Sequence, residues 1–267
     1  MDSLAPLPLE LLELVTAALP RLKRTQQGKL ADELRGLWWG LRTGTLVDSV
    51  MLSEEEAEAL GRGLSKSIFP LFVVYEPTTA QTLGINGALA ERFKEGKTPC
   101  VEVGGRQPEL ASNLPPLPLS ILRTIASHSS SPSFSPFLRL DPVERPHDLV
   151  GPVGFLLDYP RPYCIDSESG RNCLGGLALQ VEDVFLAGRD DSPSLRLLSF
   201  SFPTHLFSPL NTDASDAASP PDGLTLPLIS EFEARLRRSN DLQPEWGLGE
   251  YCLARSGREV VLDRVAL

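Results

Sequence analysis

The residues best suited to chemistry are concentrated in one segment of the sequence, from position 150 to 186. Acidic, phenolic, amide and thiol side chains occur together there: Asp158, Tyr159, Tyr163, Cys164, Asp166, Asn172 and Cys173. A cysteine and an aspartate near a strand end can act as a nucleophile and its orienting acid. Asp158, Tyr163, Cys164 and Asp166 are therefore the candidate catalytic residues.

A cysteine nucleophile also needs a general base, which is usually histidine. The chain has His128, His147 and His205, and all three lie in or near loops or proline-flanked sequence. Their spacing from the cysteines matches no catalytic pattern. A structural interpretation is therefore favoured, in which the prolines of residues 159–163 bend a strand because each removes a backbone donor. Residues 166–170 would then form a polar turn, and the cysteines would fill the core.

The cysteines allow one further possibility, a disulfide. Cys164 and Cys173 could face each other across the turn at a distance that a disulfide tolerates. The N-terminal segment resembles neither a signal peptide nor a transit peptide, since it carries acidic residues and no basic lead. In the reducing compartment that this implies, free thiols are expected. We predict a cytoplasmic or nuclear protein.

Neither a metal nor a cofactor is predicted. The sequence has no CxxC, HxxxH or HExxH spacing for a metal. It also has neither GxGxxG nor GxxxxGK[ST], the loops that hold nucleotide phosphates. A plain turn is the favoured interpretation of Gly104-Gly105, which follows a predicted strand.

Two features favour binding to another protein. The run Pro115-Pro116-Leu-Pro118 is typical of polyproline segments that dock into aromatic-lined grooves, although it could simply lead into a helix. Trp38 and Trp39 are adjacent, so on a helix their side chains point about 100° apart. Trp39 is then a candidate contact residue, with a partly exposed core position as the favoured alternative.

Composition limits the classes of partner. The chain has 267 residues, 42% of them apolar and 22% charged, with a formal net charge of −10. That charge argues against nucleic acid, because phosphate neutralisation requires a basic surface. No run approaches the roughly 18 apolar residues of a membrane span. A protein is the expected partner, and the oligomeric state is left open.

The pattern of elements predicts an α+β fold with a mixed sheet and helices packed on it. The first half alternates strands and helices, which favours a partly parallel sheet. Leucines at helical spacing predict helices at 7–19 and 29–41, and Thr78 or Thr79 can cap another at about 79–94. Ser53 and Glu56 form a capping box, which predicts the start of a further helix. The predicted strands span 45–52, 68–75 and 99–103, and the continuous apolar run of 68–75 indicates burial on both faces.

The second half has the short turns of an antiparallel meander. Its predicted strands span 150–158, 161–166, 174–186 and 195–202, followed by a helix at 226–238 and a hairpin at 249–254 and 259–265. The predicted strands within residues 150–186 form what we call the central hairpin. Loop insertions are expected at about 105–118, 128–136 and 208–223. Since none of them separates two cores, residues 1–267 are predicted to form a single domain.

The sequence is similar to an uncharacterised eukaryotic family named after a human chromosome 1 open reading frame. The residues that carry this resemblance are Gly40-Leu41, Leu46-Val-Asp48, Gly154-Phe-Leu-Leu-Asp-Tyr-Pro160, Tyr163, Asn172-Cys-Leu174 and Leu177-Ala-Leu179. Pro162 and the serine-rich insertions depart from it. The resemblance covers nearly the whole chain and implies one domain, with no activity, cofactor or site.

Two functional hypotheses follow. The first is a non-catalytic intracellular interaction or scaffold domain, since no ordered catalytic set is visible while several loops are rich in proline. The alternative is a small-molecule enzyme, a hydrolase or transferase, with a cleft near the central hairpin.

Overall fold

The described chain forms an α+β fold, in which helices pack on mixed and antiparallel sheets. The computed structural model describes residues 8–93, 96–129, 131, 134–165, 171–188, 195–207, 220–263 and 265. The helices are α1 (Leu9–Ala18), α2 (Arg24–Trp38), α3 (Glu54–Leu64), α4 (Gly87–Ala90), α5 (Pro116–His128), α6 (Val150–Leu156) and α7 (Pro220–Leu242). The strands are β1 (Gly44–Leu46), β2 (Leu71–Glu76), β3 (Gln81–Asn86), β4 (Cys100–Glu102), β5 (Glu109–Ala111), β6 (Phe137–Arg139), β7 (Tyr163–Cys164), β8 (Ala178–Gly188), β9 (Leu195–Pro203) and β10 (Tyr251–Val261).

The first sheet has the order β1-β3-β2-β6, with β6 parallel to β2 and the other pairs antiparallel. All six residues of β2 are buried, as its continuous apolar run predicts. The helix predicted after Thr78 or Thr79 is wrong, because the chain turns back as β3. The Glu76 carboxylate closes that turn by accepting from the Thr78 and Thr79 amides at 2.9 and 2.7 Å.

The second sheet has the order β10-β8-β9 and is antiparallel throughout. The predicted C-terminal hairpin is wrong, since β10 continues straight through Ser256 and Gly257 and pairs with β8 along its whole length. Gly257 marks a close approach and not a turn: a β-carbon there would lie 2.5 Å from the Glu182 carboxylate. Two short runs separated by a glycine therefore form one long strand.

The third sheet, β5-β4-β7, replaces the predicted central hairpin. Residues 150–156 form helix α6 and not a strand, and β7 pairs in parallel with β4. A short apolar run does not distinguish a buried helix from a buried strand. Two glycines decide the packing of α6, since β-carbons at Gly151 and Gly154 would lie 2.4 Å from Leu114 and Pro162. The hairpin prediction was therefore wrong in both its partner and its first element.

The helix signals of the first half are confirmed. Helices α1 and α2 carry the leucines predicted at helical spacing, and α3 begins with the predicted capping box of Ser53 and Glu56.

The loop predictions are less accurate. The segment 105–118, predicted to be a loop, contains β5 and the start of α5. Of the other two loops, 208–219 and part of 128–136 lie outside the described residues, and the prediction of a loop at 220–223 is wrong because these residues begin α7.

Helices α1–α3 pack with β2, β9 and α7 in the largest apolar cluster. A second cluster lies on the other side of β2 and β3, against α5 and α6. Within the described chain, no helix is long and apolar enough to cross a membrane.

Candidate functional site

A cleft of about 860 Å³ lies between α6 and the sheet of β8 and β9. The turn Pro146–Leu149, which is a 3₁₀ helix, forms a further part of its wall, as does the segment that leads into β7. The lining residues are mostly apolar, with these polar side chains among them: Gln81, His147, Tyr159, Arg161, Tyr163, Asn172, Ser199 and Ser201. The cleft therefore occupies the region in which the sequence placed its candidate chemistry.

The alternation of side chains along β9 explains why the cleft remains open. Leu198, Phe200 and Phe202 belong to the largest apolar cluster, and Phe200 also reaches the cleft lining. Ser199 and Ser201 point to the opposite face of the strand, where they line the cleft. Val181 of β8 lies directly opposite Ser201 in the register. Small side chains on this face thus leave space that larger ones would fill.

Tyr163 contributes a hydroxyl that is held in place from the sheet. Its Oη lies 3.2 Å from the Ser201 Oγ. Burial raises the pKa of Tyr163 to about 12, although the hydrogen bond with Ser201 opposes the rise. The phenol is therefore neutral at physiological pH and serves as a hydrogen-bonding group, not as a base.

Arg161 supplies the positive charge of the cleft. It is half-buried in the wall, and burial lowers its pKa from the ordinary value. An arginine nevertheless stays protonated in proteins. Within the described residues, its guanidinium makes no hydrogen bond and no ion pair. The described lining also contains no aspartate or glutamate.

His147 and Asn172 differ in whether their polar atoms have hydrogen-bond partners. The His147 Nε2 is buried and has no hydrogen-bond partner in the described part of the chain. The Asn172 amide is occupied: its nitrogen donates to the Val265 carbonyl at 2.9 Å, and its oxygen accepts from the Leu174 amide at 3.2 Å. His147 therefore carries a buried nitrogen that is unsatisfied in the described structure, whereas Asn172 holds the wall together.

Asp158 lies outside this cleft lining, in a buried ionic cluster. It follows α6 with φ 66°, a left-handed conformation that aspartate tolerates better than most residues. Its side chain is fully buried. The carboxylate accepts from the Thr43 amide and hydroxyl at 2.8 and 2.7 Å, from Arg92 at 2.7 Å and from Arg235 at 3.0 Å.

These contacts fix the charge of Asp158. Burial alone raises the pKa of this carboxyl, but Arg235 and Arg92 outweigh it and leave the pKa below its ordinary value. Arg235 also donates to the Leu41 carbonyl at 2.8 Å, so it joins α7 to the end of α2. The carboxylate is therefore ionised near neutral pH and held by Thr43, Arg92 and Arg235, which makes it a structural group.

Cys164 is also committed to the interior. Its sulfur lies 2.8 Å from that of Cys100 and 3.2 Å from the Glu102 carboxylate. The hydrogen bond with Cys100 and burial both raise the pKa of the Cys164 thiol, so it is not a ready thiolate. All four cysteines are free, as favoured from the sequence, and the sulfur that faces Cys164 belongs to Cys100 and not to Cys173, the partner considered there.

The remaining sequence candidates fall in other places. Asp166 lies outside the described residues. Trp39 is only 2% exposed, so the expectation of an exposed indole there is wrong, and Trp38 is buried as well. Pro116 and Pro118 lie in the first turn of α5, with Pro115 as its N-cap, so the polyproline conformation was not the correct prediction. Their role in binding remains a prediction.

Sequence reasoning missed Arg161, Ser199 and Ser201, and it considered His147 only as a base for cysteine. Alternation in Ser199-Phe-Ser-Phe202 was the available signal for a strand face with small polar residues. Nothing local marks Arg161, because its lack of an ion pair depends on which side chains the fold brings near it. Among the described residues, no group of three or more His, Cys, Asp or Glu could hold a metal.

Comparison with known proteins gives one match. Residues 120–217 match the family described as Domain of unknown function (DUF4504). The match is consistent with an uncharacterised family and does not test the chromosome 1 name. Neither the curated proteins nor the solved structures contain a match to this chain. The matched segment includes the cleft lining except for Leu46, Gln81 and Val265.

Proposed function

We propose that the protein is a non-catalytic binding domain and that the cleft is its binding site. The observation that carries the proposal is the cleft itself, with its size and mixed lining. Pockets for small molecules typically occupy about 300–1,000 Å³ and combine apolar walls with a few polar groups. The cleft of about 860 Å³ has this character. Its coincidence with the family match supports it further.

The catalytic candidates favour binding over chemistry. Asp158 is saturated with donors, and the thiol of Cys164 is buried against Cys100. Among the three candidates that the structure describes, Tyr163 lines the cleft, and its raised pKa keeps it protonated. A protonated phenol can donate a hydrogen bond to a ligand but does not remove a proton near pH 7.

The experiment fills the cleft from its sheet side. Val181→Trp places a large side chain on the cleft face of β8, and Val261→Trp places the same residue at the 62% exposed end of β10. Nile red, a neutral apolar dye, is titrated into each protein while its fluorescence is measured. Saturable binding is expected in the wild type and in Val261→Trp, with a loss of at least about tenfold in affinity in Val181→Trp. Equal binding by all three proteins would place the dye elsewhere and reject the cleft.

A hydrolase or transferase is the second candidate function. It is favoured by one observation, that His147 with an unpartnered Nε2 shares the cleft lining with Ser199 and Ser201. A panel of nitrophenyl esters tests it through release of nitrophenolate. Turnover above background that disappears in both His147→Gln and Ser201→Ala would establish the enzyme over the binding domain. Background rates in all three proteins would remove it.

A protein partner and a cytoplasmic or nuclear location complete the proposal. The four free cysteines support a reducing compartment, where disulfides are rare. Fluorescence microscopy of a tagged chain tests the location, and proximity labelling in the same cells tests the partner. Reproducible labelling that Val181→Trp removes and Val261→Trp retains would connect the partner to the cleft.

A further inference from the structure

We propose that the ligand of the cleft is a small amphipathic carboxylate, with its head group on Arg161 and its apolar body along α6 and β8. This inference rests on the proposed function, since it names the ligand of the same cleft. The arrangement that carries it is a half-buried arginine without an ion pair, set in an otherwise largely apolar wall.

The charge of the cleft runs against that of the whole protein. The chain carries 35 acidic and 25 basic residues, yet the described lining holds an arginine and no carboxylate. Two acidic residues near the cleft in the described part of the chain each have an arginine partner. Asp148, next to His147, is bound by Arg145 through two contacts of 2.9 Å. Asp183, opposite Ser199 in the sheet, lies 2.6 Å from Arg258.

Arg161 is thus a cation whose neighbours leave it uncompensated in the described structure. Partial burial of a charge costs free energy unless an opposite charge or a hydrogen-bond acceptor compensates it. The guanidinium fork matches a carboxylate through two parallel hydrogen bonds. A single arginine balances a single negative charge. A phosphate monoester carries about 1.5 to 2 negative charges near pH 7, so it fits less well.

Other polar groups of the lining suit the same head group. The Tyr163 hydroxyl is protonated, since burial raises its pKa to about 12, and it shares its hydrogen bond with Ser201. The His147 Nε2 is buried without a partner in the part of the chain described. Each can donate a hydrogen bond to a carboxylate oxygen or to a polar substituent of the ligand.

The rest of the wall suits an aliphatic or aromatic body. Val150, Val153 and Leu157 line the cleft from the side of α6, and Val181 lines it from β8. A space of about 860 Å³ is large enough for a small molecule that extends well beyond its head group. A purely polar anion would leave these side chains unused, which is why the ligand is amphipathic.

The test compares two probes with the same apolar chain, dodecanoate and 1-dodecanol, by isothermal titration below the concentrations at which they aggregate. The wild type is expected to bind dodecanoate at least about tenfold more tightly, because charge-assisted hydrogen bonds are the stronger kind. In Arg161→Gln this preference should disappear while the affinity for dodecanol is unchanged. Arg123→Gln, an exposed position on α5, is the matched control and should behave as the wild type.

The outcomes separate this inference from the proposal on which it rests. If both probes bind equally and Arg161→Gln changes neither affinity, the proposal that the cleft is a binding site is retained and the proposal of a carboxylate ligand is rejected. If neither probe binds the wild type, and Nile red does not bind either, the binding site itself is rejected. Arg161→Lys provides a second variant, which keeps the charge but loses the fork and should retain only part of the preference. Circular dichroism confirms that each variant is folded.

Discussion

Asp158 and Arg161 are three residues apart in sequence, yet they lie in opposite environments. Asp158 is fully buried and bound by Thr43, Arg92 and Arg235. Arg161 lines an open cleft and has no ion pair among the residues that the structure describes. The Asp158 carboxylate is neutralised by the protein's own arginines, whereas the Arg161 guanidinium can pair with a ligand.

The difference shows how a buried charge and an available charge are told apart. A perturbed pKa and a conspicuous sequence position suggest function, but structural ion pairs perturb a pKa as well. Asp158 has a lowered pKa because two arginines surround it, and these contacts commit the buried carboxylate to holding the fold together. Availability of the charged group, and not the size of the perturbation, therefore identifies the functional candidate.

The largest expected effect concerns Asp158. Asp158→Asn keeps a residue that tolerates the left-handed backbone but removes the charge that compensates Arg235. We expect the free energy of unfolding to fall by about 3–5 kcal/mol, because the buried Arg235 then keeps only the partly exposed Glu231 as an ionic partner. Urea denaturation measures it. Asp141→Asn, at an exposed position, should change it by less than about 0.5 kcal/mol. Equal effects in the two variants would contradict a structural role for Asp158.

A double variant sharpens this assignment. Arg235→Met removes the partner and should also be destabilising, since it loses the contact with the Leu41 carbonyl. Combined with Asp158→Asn, the loss should be smaller than the sum of the two single losses by about 0.5–3 kcal/mol, as expected for side chains in contact. The same urea denaturation measures all three variants. Strict additivity would show that the two groups do not stabilise each other.

The pH dependence of stability should separate the two charges next. A carboxyl whose pKa is lowered on folding contributes stability that is complete above its unfolded pKa of about 3.9 and is lost as pH falls through its folded pKa. The stability difference between wild type and Asp158→Asn should therefore be constant at neutral pH and shrink below about pH 4. The difference between wild type and Arg161→Gln should show no such step. Denaturation across the acid range measures both.

A smaller effect is expected at the hydroxyl of the cleft. Tyr163→Phe removes the hydrogen bond with Ser201 and should lower the free energy of unfolding by about 1 kcal/mol. Ser201→Ala tests the same bond from the other side. Since both changes delete one contact, the double variant should cost little more than either alone. A loss of unfolding free energy several times larger would show that Tyr163 mainly stabilises the fold, as Asp158 does.

The smallest stability effect is expected at Arg161. Arg161→Gln removes a charge that has no ion pair in the described chain, so the free energy of unfolding should change by less than about 0.5 kcal/mol. Chemical denaturation provides the measurement. This variant is expected to lose carboxylate binding and keep stability, whereas Asp158→Asn loses stability. A large destabilisation at Arg161 would erase the contrast between the two residues.

The sequence predicted the α+β class and many of its elements. Leucine spacing located α1 and α2, the Ser53 capping box located the start of α3, and the buried apolar run located β2. These signals are local, so no tertiary contact is needed to interpret them. The region of the cleft was also identified, as residues 150–186, although the residues proposed for its chemistry were mostly others.

The errors have a common physical cause, which is that pairing partners are distant in sequence. The apolar run 150–156 became α6, and the segment after Thr78 became β3, because tertiary packing overrides a weak local preference. Cys164 faces Cys100, which is 64 positions away, and not the nearer Cys173.

By itself the sequence determined much of the composition of the core, the strongest helices and strands, and a formal net charge of −10. Only the tertiary structure decided which charges are neutralised. Arg235 is brought from α7 to Asp158, whereas no described carboxylate is brought to Arg161. Ion pairing depends on distances of a few ångströms between distant segments, and no local pattern encodes those distances.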